Sequence, residues 1–353
     1  MKNVPLISVC IPVFETEPLL EACLESVITQ DFDSFEVVIV SDASRGKDEK
    51  GRSAKKIVRA MQKKCNALRK AACKPSVELR FIEHSENRGL IEVRRTLCHE
   101  ARGFYTTQLD SDDIMESGAL SALYAASEEG TLDIIHGTST SGYFDAEGNF
   151  APTAENRYGK IFYGEIKGRD IFRRWLMNGD FTANTWGKLI KRELWTRAFE
   201  NIPYTECNMA DDVLLFFFIA QYAKSYKGIE AKVYRYRVNS GMSSGRKIDS
   251  LHRWKMICST ASVFTILSQW CKEHEIDSRV KPENDTFCKL EGDTFVYPDE
   301  INHLRLMTRY YLENNIKQMK ETVIPELQPA ARQMLCDYWG ESFVVTMERA
   351  MKE

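Results

Sequence analysis

Strand-like and helix-like segments alternate through roughly the first 110 residues of the chain. The apolar, β-branched segments are "LISVCIPVF", "EVVIVSD", "VELRFIEHS" and "GFYTTQL". Between them lie "LLEACLESVITQ" and "GLIEVRRTLCHEA", in which the apolar residues recur at helical spacing. Strands that alternate with helices predict a parallel sheet with helices on both faces, so the predicted fold class is α/β.

A short, mostly polar cluster follows each of the four predicted strands. The clusters are Phe14–Glu15, Asp42–Ser44, Asn87–Gly89 and Asp110–Asp113. The carboxyl ends of parallel strands meet at one edge of a sheet, and α/β proteins bind their ligands there. One such cluster alone would indicate a turn or a helix cap, but four at the same edge indicate a binding cleft.

Beyond about residue 130 the regular alternation is lost. "DIIHG" and "KVYRYRV" predict two further strands, and "GYFDAEGNF" predicts a hairpin around its Ala-Glu-Gly turn. "DDVLLFFFIAQYA" predicts a strongly apolar core helix. These segments extend the first domain without adding a repeat or a low-complexity tract.

The last hundred residues are mostly helical in pattern. Long amphipathic stretches occupy 251–274, 300–321 and 329–351. We place a boundary near residue 245, within "NSGMSSGRK". It divides the chain into an α/β domain, residues 1–245, and a mainly helical C-terminal region, residues 246–353.

The composition limits the kinds of binding partner and the cellular compartment that we expect for this chain. The net charge of −3 gives no general attraction to nucleic acid. No apolar run approaches the ~20 residues that a membrane span needs, and "MKNVPLISVCIPVF" is interrupted by proline too early for a signal peptide. The ten cysteines lack CxxC spacing, which predicts buried free thiols in a reducing compartment. The sequence therefore predicts a cytoplasmic protein without a nucleic-acid partner.

One segment is strongly basic. From Arg45 to Lys74 the chain contains twelve Lys or Arg residues and two acidic residues, while Ile57, Met61, Cys65 and Leu68 fall on one helical face. A helix that covers the sheet and has a solvated basic back accounts for this pattern. The alternative is a basic amphipathic surface that contacts anionic lipid head groups at the inner face of the membrane.

Three carboxylates, Asp110, Asp112 and Asp113, occupy a run of four positions. Two unit charges about 4 Å apart interact by roughly 4 kcal/mol at an effective dielectric constant near 20. A divalent cation would offset this repulsion, and such hard oxygen ligands suit Mg²⁺ or Mn²⁺. An ion in this position could stabilise a departing diphosphate. The alternative is that Asp113 and Glu116 only favour the first turn of the next helix.

Over about residues 5 to 240 the chain resembles the inverting family 2 glycosyltransferases. The resemblance rests on the order and spacing of several motifs, each of which is loose alone. The motifs are "ISVCIPVFE", "VVIVSDAS", "NRGLIEVRR", "GFYTTQLDSDD", "NTWGKLIKREL", "ADDVLLF" and "YRVNSGMSS". The resemblance implies a GT-A fold, which is a Rossmann-like domain that transfers sugars from nucleotide-diphospho-sugars. It also implies a hexosyl- or N-acetylhexosaminyltransferase with a preference for UDP-linked donors.

The resemblance also implies a donor site at the edge of the sheet. Asp42 corresponds to the acid that hydrogen-bonds the base, Asp110 to a ribose or sugar contact, and Asp112 to the metal ligand. The residues expected to bind the donor are Pro12, Phe14, Glu15, Asp42, Asn87, Gly89, Arg94, Asp110 and Ser111. The residues expected to bind Mn²⁺ or Mg²⁺ are Asp112 and Asp110.

Asp212 corresponds to the catalytic base of the family, and Asp211 precedes it on the acceptor side. Inverting transfer requires the acceptor hydroxyl to lose a proton as it attacks the anomeric carbon, and a carboxylate can accept that proton. Trp186 and Lys188 correspond to acceptor-side residues, where an aromatic face can stack on a sugar ring. The alternatives are that Asp211 and Asp212 serve only the positive end of a helix, and that Trp186 is a core residue.

The features and the resemblance together predict a metal-dependent transferase. The resemblance alone implies a glycan or lipid-linked acceptor in bacterial surface polysaccharide synthesis. Ser41–Ser44 has one acid where the family often has two, which leaves the nucleotide open beyond a UDP preference. A nucleotidyltransferase is an alternative, but "PVFETEPLL" lacks the Gly-rich phosphate loop. A catalytically inactive glycan-binding or scaffold protein is another, against which Asp112 and Asp212 argue. The helical region leaves a homodimer and a peripheral membrane contact open.

Overall fold

A computed structural model describes residues 4–145, 149–154, 159–238, 240, 247–275 and 295–352 of the chain. Ten strands within these ranges form one sheet. The first four strands are β1 (Ile7–Val13), β2 (Phe35–Ser41), β3 (Leu79–Glu83) and β4 (Tyr105–Gln108). They are parallel and lie in the order β3-β2-β1-β4, which confirms the prediction for this half of the sheet.

Three helices connect these strands and cover both faces. They are α1 (Glu17–Ile28), α2 (Ala54–Ala71) and α3 (Leu90–Glu100). Successive side chains of a strand point to opposite faces. Val9 and Ile11 of β1 therefore share a core with α1 and α2, whereas Cys10 shares a smaller one with Val93 and Leu97 of α3.

The second half of the sheet is mixed, in the part of the chain where the regular alternation of the sequence is lost. Its strands are β5 (Ile114–Met115), β6 (Ile134–Phe144), β7 (Phe150–Pro152), β8 (Gly164–Lys167), β9 (Lys188–Lys191) and β10 (Ser225–Arg237). The order continues from β4 through β9, β6 and β10 to β5, and β9 is antiparallel to both of its neighbours. Because β9 runs in this direction, the residues before it lie at the carboxyl end of β4, where Trp186 bridges to Gln108.

The strand predicted at "DIIHG" is β6, and the predicted hairpin is the antiparallel pair of β6 and β7, with Gly142 opposite Pro152. Residues 146–148, which include the predicted turn, lie outside the described residues. Four helices accompany these strands: α4 (Ala119–Ala125), α5 (Asp170–Leu176), α6 (Arg192–Asn201) and α7 (Asp211–Tyr222).

Helix α7 is apolar on all sides and is almost wholly buried, as its sequence predicts. Phe216 packs edge-on against Trp175 of α5, with ring centroids 5.3 Å apart. Phe218 packs edge-on against Trp270 of the C-terminal region at 5.5 Å. Packing from several directions fixes the amino end of α7 at the edge of the sheet.

The C-terminal region is helical, as predicted, but two of the predicted stretches are divided. The helices are α8 (Leu251–Cys258), α9 (Thr260–His274), α10 (Pro298–Thr322), α11 (Gln328–Trp339) and α12 (Glu341–Ala350), with a 3-10 turn at Pro325–Leu327. The stretch 251–274 is interrupted at Ser259. The stretch 329–351 is interrupted at Gly340, whose φ of 87° is unfavourable for residues with a side chain.

The boundary predicted near residue 245 falls mostly on residues outside the described ranges. Side chains of α9 and α10 belong to the same hydrophobic core as α7, so the helical region packs directly on the α/β domain. The nine cysteines in the described part of the chain are free, and all but Cys73 are buried. No helix in the described ranges has the length and apolarity needed to cross a bilayer.

Candidate active site

A cleft of about 570 Å³ lies at the carboxyl edge of the parallel strands. The loops after β1, β2 and β4 and the start of α3 form one side of it, and the loops before β9 and α7 form another. Asp112, from the loop after β4, and Asp212, from the start of α7, both line this one cavity. Two acids that are a hundred positions apart in sequence therefore share a site.

Three non-glycine residues at the loops of the cleft adopt a left-handed backbone conformation. They are Glu15 with φ 55°, Ala43 with φ 53° and Ala210 with φ 60°. Each such conformation costs on the order of 1–3 kcal/mol and persists only where the surrounding structure fixes it. At Glu15 the backbone N–H donates to Ser44 Oγ at 2.7 Å, which ties the loop after β1 to the loop after β2.

Asp42 organises the side of the cleft formed by β2 and α3. Its Oδ1 accepts hydrogen bonds from the Arg88 N–H at 2.9 Å and pairs with His84 Nδ1 at 2.8 Å. Its Oδ2 accepts from the Gly89 N–H at 2.9 Å. The carboxylate thus fixes the turn that leads into α3, while still lining the cavity. Gly89 is needed there because its φ is 87°.

Arg94 lies among the acids of the site and brings a buried positive charge to them. Its side chain is buried, with Nε donating to Asp211 Oδ2 at 2.6 Å and Nη2 donating to Asp110 Oδ1 at 3.2 Å. Its Nη1 donates to Gln108 Oε1 at 3.3 Å. One guanidinium therefore connects the acidic run after β4 with the acidic pair at α7. The pKa of Arg94 is raised by these carboxylates, although burial alone would lower it.

The carboxylates after β4 have different environments. Asp113 is buried, and its two oxygens accept from Tyr234 Oη and from the Arg237 N–H, each at 2.7 Å. Burial raises its pKa well above the ordinary value, and the neighbouring carboxylates raise it further. Burial also raises the pKa of Asp110, while Arg94 lowers it. Asp112 lines the cavity and is not fully buried.

The acidic residues of the cleft could bind a divalent ion if water and substrate supplied most of its ligands. Within the described ranges no group of three or more His, Cys, Asp or Glu side chains could hold a metal ion. Two carboxylates, Asp110 and Asp112, do line the cavity together. Mg²⁺ is commonly bound by one or two carboxylates, with waters and substrate phosphates as its remaining ligands. The donor set therefore fits an ion that is shared with a phosphorylated substrate.

Helix α7 begins with two acids, Asp211 and Asp212. Among the described residues, Arg94 forms an ion pair with Asp211 but not with Asp212. The Oδ1 of Asp212 accepts from the Val213 N–H at 2.8 Å, within the first turn of the helix. Burial and the neighbouring Asp211 raise its pKa to about 6. A carboxylate with a pKa near the working pH is well suited to accept and release a proton.

Trp186 lies at the surface of the cavity, whereas Lys188 is buried in the protein interior. Trp186 lines the cavity and stacks on Tyr234 and Tyr236, with ring centroids 4.5 Å and 5.7 Å apart. Lys188 is fully buried beneath the cavity, and its Nζ donates to the carbonyls of Thr182 and Asn184. Burial lowers the pKa of Lys188 to about 7, and the nearby Asp212 opposes that shift. Lys188 therefore supports the loop before β9 and does not line the cavity.

A family model described as glycosyl transferase family 2 matches residues 8–195, which is more than half of the chain. The chain belongs to this family. The match covers the strands and loops that form most of the cleft, and it agrees with the resemblance drawn from the motifs.

Relatives of this family 2 chain include two proteins of Streptococcus pneumoniae serotype 4. Glycosyltransferase GlyA is 27% identical over 240 residues, which is 67% of this chain but 31% of GlyA. Glycosyltransferase GlyG is 26% identical over 241 residues, which is 67% of this chain and 72% of GlyG. The chain thus spans under a third of one relative and most of the other. Family and relatives together identify it as a glycosyltransferase.

Among solved structures, mannosyltransferase PcManGT from Pyrobaculum calidifontis, in complex with GDP-Man and Mn²⁺, shares the fold. Its TM-score is 0.50 at 16% identity, over 98% of this chain and 87% of that chain. The family 2 chain is accordingly an α/β protein with a GT-A-like fold and a helical C-terminal region, as predicted.

Most residues that the sequence singles out in this glycosyltransferase do line the cleft. They are Pro12, Phe14, Asp42, Asn87, Arg94, Asp110, Ser111, Asp112, Trp186, Asp211 and Asp212. Glu15, Gly89 and Lys188 do not line it. The backbone N–H groups of Glu15 and Gly89 donate hydrogen bonds to Ser44 and Asp42, and Lys188 holds the loop before β9. Arg94, which the sequence predicts to bind the donor, lines the cleft with its guanidinium paired to Asp110 and Asp211.

Sequence reasoning missed several residues of the cleft. Thr16 lies beside Ser111, with the two hydroxyl oxygens 2.7 Å apart, and only its position after β1 could have indicated it. The C-terminal region contributes four more residues: Met256, Tyr310, Tyr311 and Asn314. They belong to amphipathic helices without a motif, and nothing in the local pattern indicates that they reach the site.

Proposed function

We propose that this glycosyltransferase moves a hexose or N-acetylhexosamine, with inversion, from a nucleotide-diphospho-sugar to a hydroxyl of a glycan or lipid-linked acceptor. The preferred donor is UDP-linked, and the product is a bacterial surface polysaccharide. The observation that carries the proposal is that Asp112 and Asp212, from two separate segments of the chain, line one cleft. One acid is thus available to the donor diphosphate and the other to the acceptor.

The reaction follows from that arrangement. An acceptor oxygen forms a bond to the anomeric carbon while the bond from that carbon to the diphosphate oxygen breaks. The acceptor proton passes to the Asp212 carboxylate, and the electron pair of the broken bond leaves with the nucleoside diphosphate. Carboxylate bases are most effective when their pKa is close to the working pH, and a pKa near 6 meets this condition.

Asp110 and Asp112 are the residues that would bind Mn²⁺ or Mg²⁺ together with the donor diphosphate. The ion would offset negative charge on the leaving group. Arg94 keeps Asp110 in place from behind through the hydrogen bond at 3.2 Å. Asp42 and Asn87 line the nearby part of the cavity where the nucleoside is expected.

Replacement of the base tests the proposal. Asp212→Asn should abolish transfer while a UDP-sugar with Mn²⁺ still raises the melting temperature, because ligand binding to the native state stabilises it by mass action. Asp170→Asn is a matched control, since Asp170 is an exposed acid in the first turn of α5 and lies outside the cleft. Turnover by Asp212→Asn at the rate of the control would remove Asp212 as the base.

A second pair of measurements tests the metal and separates an active enzyme from an inactive binding protein. Asp112→Ala should weaken the Mn²⁺-dependent part of donor binding, and EDTA should stop transfer. Slow hydrolysis of the donor by the wild-type chain, lost in Asp212→Asn, indicates a competent site. Donor binding without hydrolysis or transfer would favour the glycan-binding alternative.

The peripheral membrane contact would involve the outward, basic side of α2. In the apolar stripe of α2, Ile57, Met61 and Cys65 are buried against the sheet, whereas Leu68 near the end of the helix is 42% exposed. The buried part of the stripe is not available to enter a bilayer. The outward side carries exposed cations: Lys55, Lys56, Arg59, Lys63 and Lys70. A basic surface of this kind would contact anionic head groups through charge alone, with strong dependence on salt.

Liposome sedimentation tests this contact. Changing Lys55, Lys56, Lys63 and Lys70 to Gln should reduce binding to vesicles of anionic phospholipid at low salt. Changing the exposed Lys317 and Lys320 of α10 to Gln serves as the control. Equal sedimentation of both variants and the wild type would end the membrane proposal and leave α2 as a sheet-covering helix.

A further inference from the structure

The helical C-terminal region forms one wall of the cleft. Met256 of α8 and Tyr310, Tyr311 and Asn314 of α10 line the same cavity as Asp212. The family model ends at residue 195, so it covers none of these residues. This wall is therefore a part of the site whose ligand has to be inferred from its own side chains.

The wall adjoins the segment that carries the base. The Asn208 N–H donates to Ser259 Oγ, between α8 and α9, at 3.0 Å. Lys255 of α8 pairs with Glu206 at 2.6 Å. Both contacts attach the helical region to the loop that leads directly into Asp211 and Asp212. The same loop also contacts the start of α3, where the Leu90 N–H donates to Asn208 Oδ1 at 3.1 Å. We assign the wall to the acceptor side of the proposed reaction because its attachment lies next to the proposed base in the chain.

The two tyrosines of the wall are held differently. Tyr311 is partly buried, with its ring 5.0 Å from Phe264 in the core. Tyr310 is 61% exposed, and its ring is perpendicular to that of Tyr311, with ring centroids 5.8 Å apart. The anchored ring supports the exposed one, and most of the surface of Tyr310 stays open to a ligand. A large exposed aromatic side chain at the mouth of a polar cleft is a common ligand contact.

The chemistry of the wall suits a sugar better than a lipid chain. Tyr310 and Asn314 are four residues apart on α10, so they lie on the same side of the helix. A sugar ring can place its C–H face on the tyrosine and its hydroxyls against the amide, which both donates and accepts. An isoprenoid tail would require a continuous aliphatic lining, and only Met256 among the four residues of the wall offers an aliphatic side chain.

We propose that Tyr310 and Asn314 bind a sugar unit of the acceptor that lies beyond the unit carrying the reacting hydroxyl. The reacting unit must reach Asp212, which is partly buried inside the cleft, whereas Tyr310 lies exposed at its mouth. The acceptor is then an oligosaccharide of at least two units, free or lipid-linked, and Tyr310 determines the preference for length. The inference rests on the proposed function, because it names the acceptor of the same site.

Acceptor length is the variable that tests the inference. Transfer by the full chain is measured with mono-, di- and trisaccharides of glucose, galactose and their N-acetyl forms. Within the sugar series that the enzyme accepts, the wild type should show a higher kcat/KM with the di- and trisaccharide than with the monosaccharide. Tyr310→Ala should reduce kcat/KM for the longer acceptors by roughly three- to tenfold, as expected for one lost stacking contact, and leave the monosaccharide unchanged.

Matched variants exclude a folding defect. Tyr310→Phe and Tyr310→Trp keep the aromatic face and should retain the preference for length. Leu306→Ala removes another exposed side chain, one turn earlier on α10 and outside the cleft, and should match the wild type. Donor hydrolysis and the KM of the donor should be the same in all of these variants.

The proposed function and the sugar subsite at the wall can be refuted separately. Wild-type transfer by Asp212→Asn would overturn the proposed function. Loss of transfer in Asp212→Asn, combined with the same dependence on acceptor length in Tyr310→Ala and the wild type, would overturn only the sugar subsite at the wall.

Discussion

Replacement of Arg94 by Met is the most informative perturbation of the folded site. The change keeps an unbranched apolar stem and removes the guanidinium with its charge. In the wild type Arg94 is 3% exposed, and its guanidinium lies between Asp211, at 2.6 Å, and Asp110, at 3.2 Å. The variant leaves these two carboxylates without their shared cation, while Asp112 and Asp212 remain close by.

The expected loss of stability can be bounded in two ways. Removing one partner of a buried ion pair generally costs about 3–5 kcal/mol. A pair of charges about 4 Å apart contributes roughly 4 kcal/mol at an effective dielectric constant near 20, before the cost of removing the guanidinium from water is subtracted. Asp110 and Asp211 line an open cleft and can be hydrated in the variant, so the loss should lie near the lower bound, about 3 kcal/mol.

The loss should also depend on pH in a defined direction. Burial raises the pKa of Asp110 in the folded protein, and Arg94 lowers it. Without Arg94 the folded variant retains a proton on Asp110 at pH values where the unfolded chain has released it. The slope of stability against pH is then negative between the two pKa values, so the variant loses most stability at high pH and recovers part of it as the pH falls.

Urea unfolding, followed by tryptophan fluorescence near pH 8 and near pH 5.5, measures both effects. Arg59→Met is the control, because Arg59 is an exposed cation of α2, and surface changes of this kind stay within about 0.5 kcal/mol. Arg94→Met combined with Asp211→Asn should lose less than the sum of the single changes. A loss under about 1 kcal/mol that does not vary with pH would refute the view that Arg94 is the counter-ion of the acidic cluster.

Three further predictions follow from individual groups. Because burial raises the pKa of Asp212 to about 6, kcat/KM should fall with unit slope as the pH drops below about 6, and a flat profile there would contradict the base assignment. Lys188→Met should shift that acid limb to higher pH, since the charge of Lys188 lowers the pKa of Asp212; an unchanged limb would show that Lys188 only supports the loop. Gly89→Ala should cost about 1–2 kcal/mol in urea unfolding, because its φ is 87° and the new Cβ would lie 3.2 Å from Asn208 Oδ1; wild-type stability would show that the turn relaxes.

The part of the site that could be predicted from the sequence is the part fixed by the parallel strands. Asp42 and Asp110 follow β2 and β4 directly, and the carboxyl ends of parallel strands share an edge. Local spacing was therefore enough to predict that they line one cleft. Asp212 was assigned through the family resemblance, and its position at the head of α7 is consistent with that assignment.

The remaining contacts of the site join residues that are far apart in the sequence, so the local sequence pattern does not predict them. Arg94 and Asp211 are 117 positions apart, and a surface helix is the usual place for an Arg. Lys188 follows a glycine in a short strand, where a lysine normally faces solvent. It is buried because the carbonyls of Thr182 and Asn184 turn toward its Nζ. The wall formed by α10 requires the whole helical region to pack on α7, which the amphipathic pattern of α10 alone does not specify.

The charge distribution of the cleft explains how one fold tolerates so many acids. Asp113 is buried and satisfied by Tyr234 and the Arg237 backbone, and its raised pKa favours the neutral form. Arg94 is the counter-ion of both Asp110 and Asp211. Among the described residues, no ion pair is formed by Asp112 or by Asp212.

These two acids are the proposed base and one of the two proposed metal ligands, whereas the other proposed metal ligand, Asp110, is paired with Arg94. A catalytic base that formed an ion pair would have a lowered pKa and would accept a proton less readily. By pairing Asp110 with Asp211 through one guanidinium, the fold compensates two charges and leaves one carboxylate for the leaving diphosphate and one for the acceptor proton. The Arg94→Met variant should therefore lose activity even under conditions where it remains folded.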